Sequence, residues 1–281
     1  MQVAFMLQYG SVGGICMKKV LISIFIVIFT FMLVGCAPKG DPSQVMKDYY
    51  QNIKDGNIEG AYDKLSEASK KNFSKEDFIK WQSVSKETSQ LKDFKVEKSN
   101  EYKDKELDGL KFKNVVEFNI TEKLQDLFEN KENSSNYKRN VVNDNGTWKV
   151  YRGKENGKEE VAAALNNLAI MYLQGKGKTK DLNQAAILLN EALKYDKECT
   201  NAYFSLGVVY TDLGRYDESI NLINTFISKE KDNNRKSLGY NALGNNYLGK
   251  NDKNKAKEFY NKALEVDPNN QYAKTNLQYT E

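Results

Sequence analysis

The sequence predicts two architectures in one chain: an α+β N-terminal domain, helices followed by a curled antiparallel sheet, and then an all-α solenoid of stacked helix pairs. Three observations carry this. Apolar residues first recur at helical spacing, as Val45, Tyr49 and Ile53 do. After Gln90 the period drops to two, with Phe94 and Val96, then Val116, Phe118 and Ile120, alternating with polar residues. The helical period then returns as an internal repeat: LNNLAIMY (165–172), YFSLGVVY (203–210) and YNALGNNY (240–247).

Ahead of both lies an apolar run, VLISIFIVIFTFML (20–33), preceded by Lys18 and Lys19 and followed by Val34-Gly35-Cys36. A positive start, a short apolar core and small residues at a cut site make an export signal over 17–35. The tail LVGC (33–36) resembles the lipobox of bacterial lipoproteins. That resemblance implies a diacylglyceryl group on the Cys36 thiol, cleavage before Cys36, and a protein held on the outer face of a bacterial cell membrane. An uncleaved membrane helix is the competing reading, and it sends the rest of the chain to the same side. Residues 1–16 carry no charge and have no place before such a signal, so translation is expected to begin at Met17. Residues 36–42, with Pro38 and Pro42, read as a lipidated tether reaching at most about 18 Å.

Composition narrows the chemistry. The 42 lysines and arginines stand against 38 aspartates and glutamates, and loss of Lys18 and Lys19 brings the balance closer. Nucleic acid is therefore not an expected partner. There is no histidine, which removes His-based nucleophile pairs, His zinc sites and the usual general base near neutral pH. No carboxylate pair stands out from the charged background. No catalytic residue, metal site or cofactor is expected, and the chain reads as a non-enzyme. Of the three cysteines, Cys16 and Cys36 precede the exported domains, leaving Cys199 as a spectator thiol.

The α+β domain is expected over 43–152. Met46, Tyr50, Ile58, Ala61, Tyr62 and Leu65 continue the helical pattern, and Ser74 with Asp77 reads as a helix start leading into Phe78 and Trp81. Asp108-Gly109 and Asn145-Gly146 are hairpin turns, because Asp, Asn and Gly accept positive φ. Helices first, then a sheet closing on NGTWKV (145–150), resembles the nuclear-transport-factor-2-like cone fold. Members of that family use the cone mouth for ligands, catalysis or assembly. Its enzymes depend on Asp/His constellations, and histidine is absent here. The polar stretch GKENGKE (153–159) reads as a linker.

Each repeat segment is followed by a second helical pattern: AAILLNEAL (185–193), SINLINTFI (219–227) and AKEFYNKAL (256–264), the last running into Pro268. Over 160–281 this resembles the tetratricopeptide repeat, with units at about 162–199, 200–236 and 237–270 and a capping helix at 271–281. The third unit matches best, through Tyr240, Leu243, Gly244, Tyr247, Ala256, Tyr260, Ala263 and Pro268. The second unit places Ser219 and Phe226 where small alanines are usual, so Phe226 must push its helix outward or find a pocket. The first unit has a longer turn, GKGKTKDLNQA (175–185), similar to the Sel-type variant.

By repeat position, the resemblance implies a concave groove formed by Asn166 and Ile170, Phe204 and Val208, and Asn241 and Asn245. Asparagines suit an extended peptide backbone. Relatives that clamp an acidic C-terminus use cations, and Asn166, Ile170, Ser205, Leu238 and Ala242 supply none. The expected function is a membrane-anchored adaptor that takes an envelope protein or peptide into this groove. The alternative makes the cone-like domain the binding part, for a small molecule or lipid, with the repeats as spacer or dimerisation arm.

Overall fold

The computed structural model describes residues 38–281. The expectations concerning Met17, the export signal and Cys36 lie outside the described residues. Four helices come first: α1 (Pro42–Asp55), α2 (Ile58–Asp63), α3 (Glu67–Asn72) and α4 (Lys75–Lys86). Strands β1 (Ser89–Leu107), β2 (Leu110–Asp126), β3 (Lys131–Asp144) and β4 (Thr147–Tyr151) follow. They form one antiparallel sheet in the order β1-β2-β3-β4.

Local chemistry sets these boundaries. Ser74 caps α4 by accepting from the Asp77 N–H at 3.1 Å. The first hairpin turns on Asp108 and Gly109 at φ 52° and 83°, the last on Asn145 and Gly146 at 51° and 82°. Bulges at Leu91/Asp93 and Lys98/Asn100 bend β1 and curl the sheet. Its inner face buries Val116, Phe118 and Ile120 against Met46, Tyr49 and Phe78. Each such side chain contributes about 1.5–3 kcal/mol by burial. The outer edge of short β4 is covered by the chain itself: Ser66 N donates to Val150 O at 2.9 Å and Lys39 N to Gly146 O at 3.0 Å. The expected tether is thus pinned to the domain from Lys39 onward.

The helical half comprises α5 (Gly157–Gln174), α6 (Leu182–Tyr195), α7 (Thr200–Asp212), α8 (Tyr216–Lys229), α9 (Asn233–Gly249), α10 (Lys253–Val266) and α11 (Gln271–Leu277), ending in a 3₁₀ turn, Gln278–Thr280. Helix α5 begins inside the stretch read as a linker, because Asn156 caps it by accepting from Lys158 N at 3.1 Å. The irregular residues of the second repeat each have a partner. Phe226 is fully buried, its ring 4.9 Å from Phe204, with side-chain-free Gly239 opposite it. Ser219 is buried and satisfied, donating to Gly207 O at 2.7 Å and accepting from Asn246 Nδ2 at 2.8 Å.

The two halves share a core. Helix α4 packs along α5, and Val84 joins Val161, Leu165, Leu168 and Leu189 in one buried cluster that continues to Tyr210. A solenoid leaves an apolar flank at each end. Here α4 covers the first end, as α11 covers the last. The lengthened turn of the first repeat folds onto the α+β domain: Lys178 pairs at 2.5 Å with Glu87 at the end of α4, and Lys176 sits 4.8 Å from the Phe128 ring in the β2–β3 connection. Gly177, at φ 68°, lies against the Leu127 carbonyl where a Cβ would not fit. Lys80 and Glu191 close the same junction at 2.7 Å.

Candidate protein-interaction groove

The first helices of the repeats, α5, α7 and α9, touch in sequence and form the concave side. Between them lies a cavity of about 430 Å³. Four of the six groove residues expected from the sequence line it: Asn166 and Ile170 from α5, Phe204 and Val208 from α7. Phe204 is half-buried, since Phe226 supports one side of its ring.

Asn241 and Asn245 sit elsewhere. The Asn276 amide of capping helix α11 donates to both side-chain oxygens at 3.0 Å, and Tyr260 also donates to Asn245 at 2.8 Å. Asn241 is 9% exposed. The third pair is therefore occupied by the chain's own cap, and the open groove belongs to the first two repeats.

Asn166 is the unusual residue of the cavity. It is 4% exposed, and its Oδ1 has no hydrogen-bond partner among the described residues. A buried acceptor left unpaired costs about 1–3 kcal/mol. That oxygen has no accessible surface, so a molecule seated in the cavity meets the apolar walls of Ile170, Phe204 and Val208 instead.

A cation also reaches the cavity, from outside the clamp positions Asn166, Ile170, Ser205, Leu238 and Ala242. Arg235, from the first turn of α9, lines it beside Leu238. It donates to Asn201 Oδ1 at 2.6 Å and to Glu230 Oε2 at 2.5 Å, with its guanidinium 5.6 Å from the Phe226 ring. Burial pushes the Glu230 carboxyl up, but Arg235 and the N–H groups of Asp232 and Lys231 outweigh it and hold the pKa below the usual range. Arg235 is three residues before Leu238, one helical turn away on the same face. That spacing was the signal in the sequence, hidden because Arg235 precedes the repeat signature.

A second cavity, about 380 Å³, adjoins the first through Asn167 and Ile170, and its far wall is the sheet end around Leu124, Asp126 and Phe128. The concave surface thus runs from α9 across α5 to the α+β domain. Cys199 caps α7 without a side-chain bond, and burial raises its thiol pKa, consistent with an unreactive thiol.

Comparison with known proteins divides the chain at the same place. Residues 41–152 match the family described as NTF2-like N-terminal transpeptidase domain, and residues 200–228 and 239–270 match the tetratricopeptide repeat. Heat shock protein STI1 of Saccharomyces cerevisiae is 33% identical over 99 residues, 35% of this chain, and the chain spans 16% of that protein. Among solved structures, the N-terminal domain of stress-induced protein-1 from C. elegans aligns at 17% identity and a TM-score of 0.39, covering 45% of this chain and 100% of that one. The Arabidopsis OM64 TPR domain aligns at 16% identity and a TM-score of 0.39, covering 44% and 97%. The chain joins an NTF2-like domain in its N-terminal region to tetratricopeptide repeats in its C-terminal half.

Proposed function

We propose that this protein is a non-enzymatic interaction adaptor, anchored by lipid on Cys36 to the outer face of a bacterial cell membrane, which takes an extended segment of an envelope protein into its repeat groove. The observation that carries the reading is the apolar concave cavity between the first helices of the repeats, walled by Ile170, Phe204 and Val208 with Arg235 at its rim. An extended peptide supplies apolar side chains for Ile170, Phe204 and Val208. Arg235 at the rim favours an acidic residue nearby. The anchor rests on the lipobox-like residues 33–36, and the pinning of Lys39 to β4 keeps the domain close to that anchor.

Site-specific photo-crosslinking in cells tests the groove. A benzophenone amino acid at exposed Asn167 should give a discrete adduct, identified by mass spectrometry, and the same probe at exposed Ile187 in α6 should not. Phe204→Ala should abolish the Asn167 adduct while leaving the thermal melt within a few degrees. Equal labelling at Asn167 and Ile187 would remove the groove from the account. For the anchor, Cys36→Ser should move the protein from the membrane to the soluble or unprocessed fraction, and the mature N-terminal peptide should begin at a lipidated Cys36.

A further inference from the structure

The NTF2-like domain holds a larger cavity, about 750 Å³, between helices α1 and α4 and the concave face of the sheet. Its size falls in the range of small-molecule sites. Its charge is one-sided: Lys54, Lys86, Lys92, Arg139 and Arg152 line it, against a single carboxylate, Glu122. The rest of the wall is largely apolar or aromatic, including Ile53, Trp81 and Leu91.

The two arginines are the deepest of these cations, with side chains only 13% and 7% exposed. Burying guanidinium groups is unfavourable unless they are fully paired. Both turn to one carboxylate, Glu155: Arg152 engages it closely, and Arg139 reaches it at 3.4 Å. Their remaining partners are phenols, Tyr49 at 2.6 Å from Arg152 and Tyr50 at 3.1 Å from Arg139. Burial pushes the Tyr50 pKa up to about 12, so its hydroxyl is neutral and offsets no charge. Glu122 accepts from the Tyr137 hydroxyl at 2.7 Å and pairs directly with neither arginine; only the Tyr137–Tyr50 contact, at 2.8 Å, links it to Arg139. Glu160 makes no ion pair among the described residues and does not line the cavity. Part of this arrangement is structural, since Arg152 stacks 4.6 Å from the Trp81 ring. That stacking does not explain two buried guanidiniums sharing one carboxylate at the wall of a wide cavity.

We infer that this cavity is a binding site for a small amphiphilic anion, its acidic head at Arg139 and Arg152 and its apolar body against Ile53, Trp81 and Leu91. A carboxylate and a phosphate monoester present the same forked acceptor geometry to a guanidinium. The site is separate from the repeat groove, and the inference does not depend on the adaptor reading.

Calorimetric titration of the full chain with decanoate, decyl phosphate and neutral decanol tests it, with Trp81 fluorescence as a second readout. Saturable one-site binding is expected for at least one anion, tenfold or more tighter than for decanol. Which anion binds better identifies the head group. Arg139→Gln should weaken the anion at least tenfold and leave decanol unchanged, and Ser85→Trp, at the cavity wall, should block all three ligands. Should Arg139→Gln fail to fold, Lys86→Gln with Lys92→Gln at the same wall should weaken the anion selectively. No saturable binding, equal affinity for decanol, or binding unaffected by Ser85→Trp would overturn the inference.

Discussion

Asn166 is held by the fold in a state that its own energetics disfavour. Its neighbours on α5, Leu165 and Leu168, are buried with apolar partners, whereas Asn166 is buried with an acceptor unpaired. Replacement by leucine, which has the same number of side-chain heavy atoms, should remove that penalty. Asn166→Leu is therefore expected to raise stability by about 1–2 kcal/mol in urea denaturation. A destabilised variant would mean that the side chain is satisfied in solution. Asn241 looks equivalent by repeat position but differs in kind, because Asn276 already occupies its oxygen. Phe204 and Phe226 make a related point: position marked one as a groove residue and the other as misplaced, and the structure pairs them in one aromatic contact.

Among the elements, the sheet carries a sharp pH signature. Glu117 of β2 is 9% exposed and accepts from Lys138 Nζ and Asn100 Nδ2, each at 2.9 Å. The Lys138 hydrogen bond, then that of Asn100, hold its carboxyl below an ordinary value of 4.5 despite burial. A folded pKa below the unfolded one contributes stability that is complete above the unfolded value and lost as pH falls through the folded one. Glu117→Gln should therefore destabilise the protein by about 1–3 kcal/mol at neutral pH, and urea midpoints should converge with wild type in acid. A gap independent of pH would show that the carboxylate's charge is not what stabilises the strand. In the repeats, the residues that depart from the consensus are the informative ones. Ser219 in place of alanine joins the polar network with Asn246, and the longer first turn docks onto the neighbouring domain.

Over the whole molecule, the continuous core through Val84, Leu165 and Tyr210 makes the two halves one mechanical unit. Full-length protein should unfold in a single calorimetric transition, with calorimetric and van't Hoff enthalpies in agreement. Two resolved transitions would show that the α4–α5 junction is only a contact. The isolated repeats, from Gly157 onward, should be less stable than in the full chain, because loss of α4 uncovers the apolar flank of α5.

By itself, the sequence determined the order of architectures, the hairpin turns at Asp108-Gly109 and Asn145-Gly146, the repeat helices and the identity of four groove residues. These depend on periodicity and on φ preferences, which act over a few neighbouring residues. Only the tertiary structure decided that Arg235 enters the groove, that Asn276 closes its third position and that α4 caps the solenoid. It alone gathered Arg139 and Arg152, from β3 and the end of β4, around one carboxylate. Such contacts join residues far apart in the chain, and their energy depends on burial and on how many partners remain for each polar group. Neither quantity exists until the chain has folded.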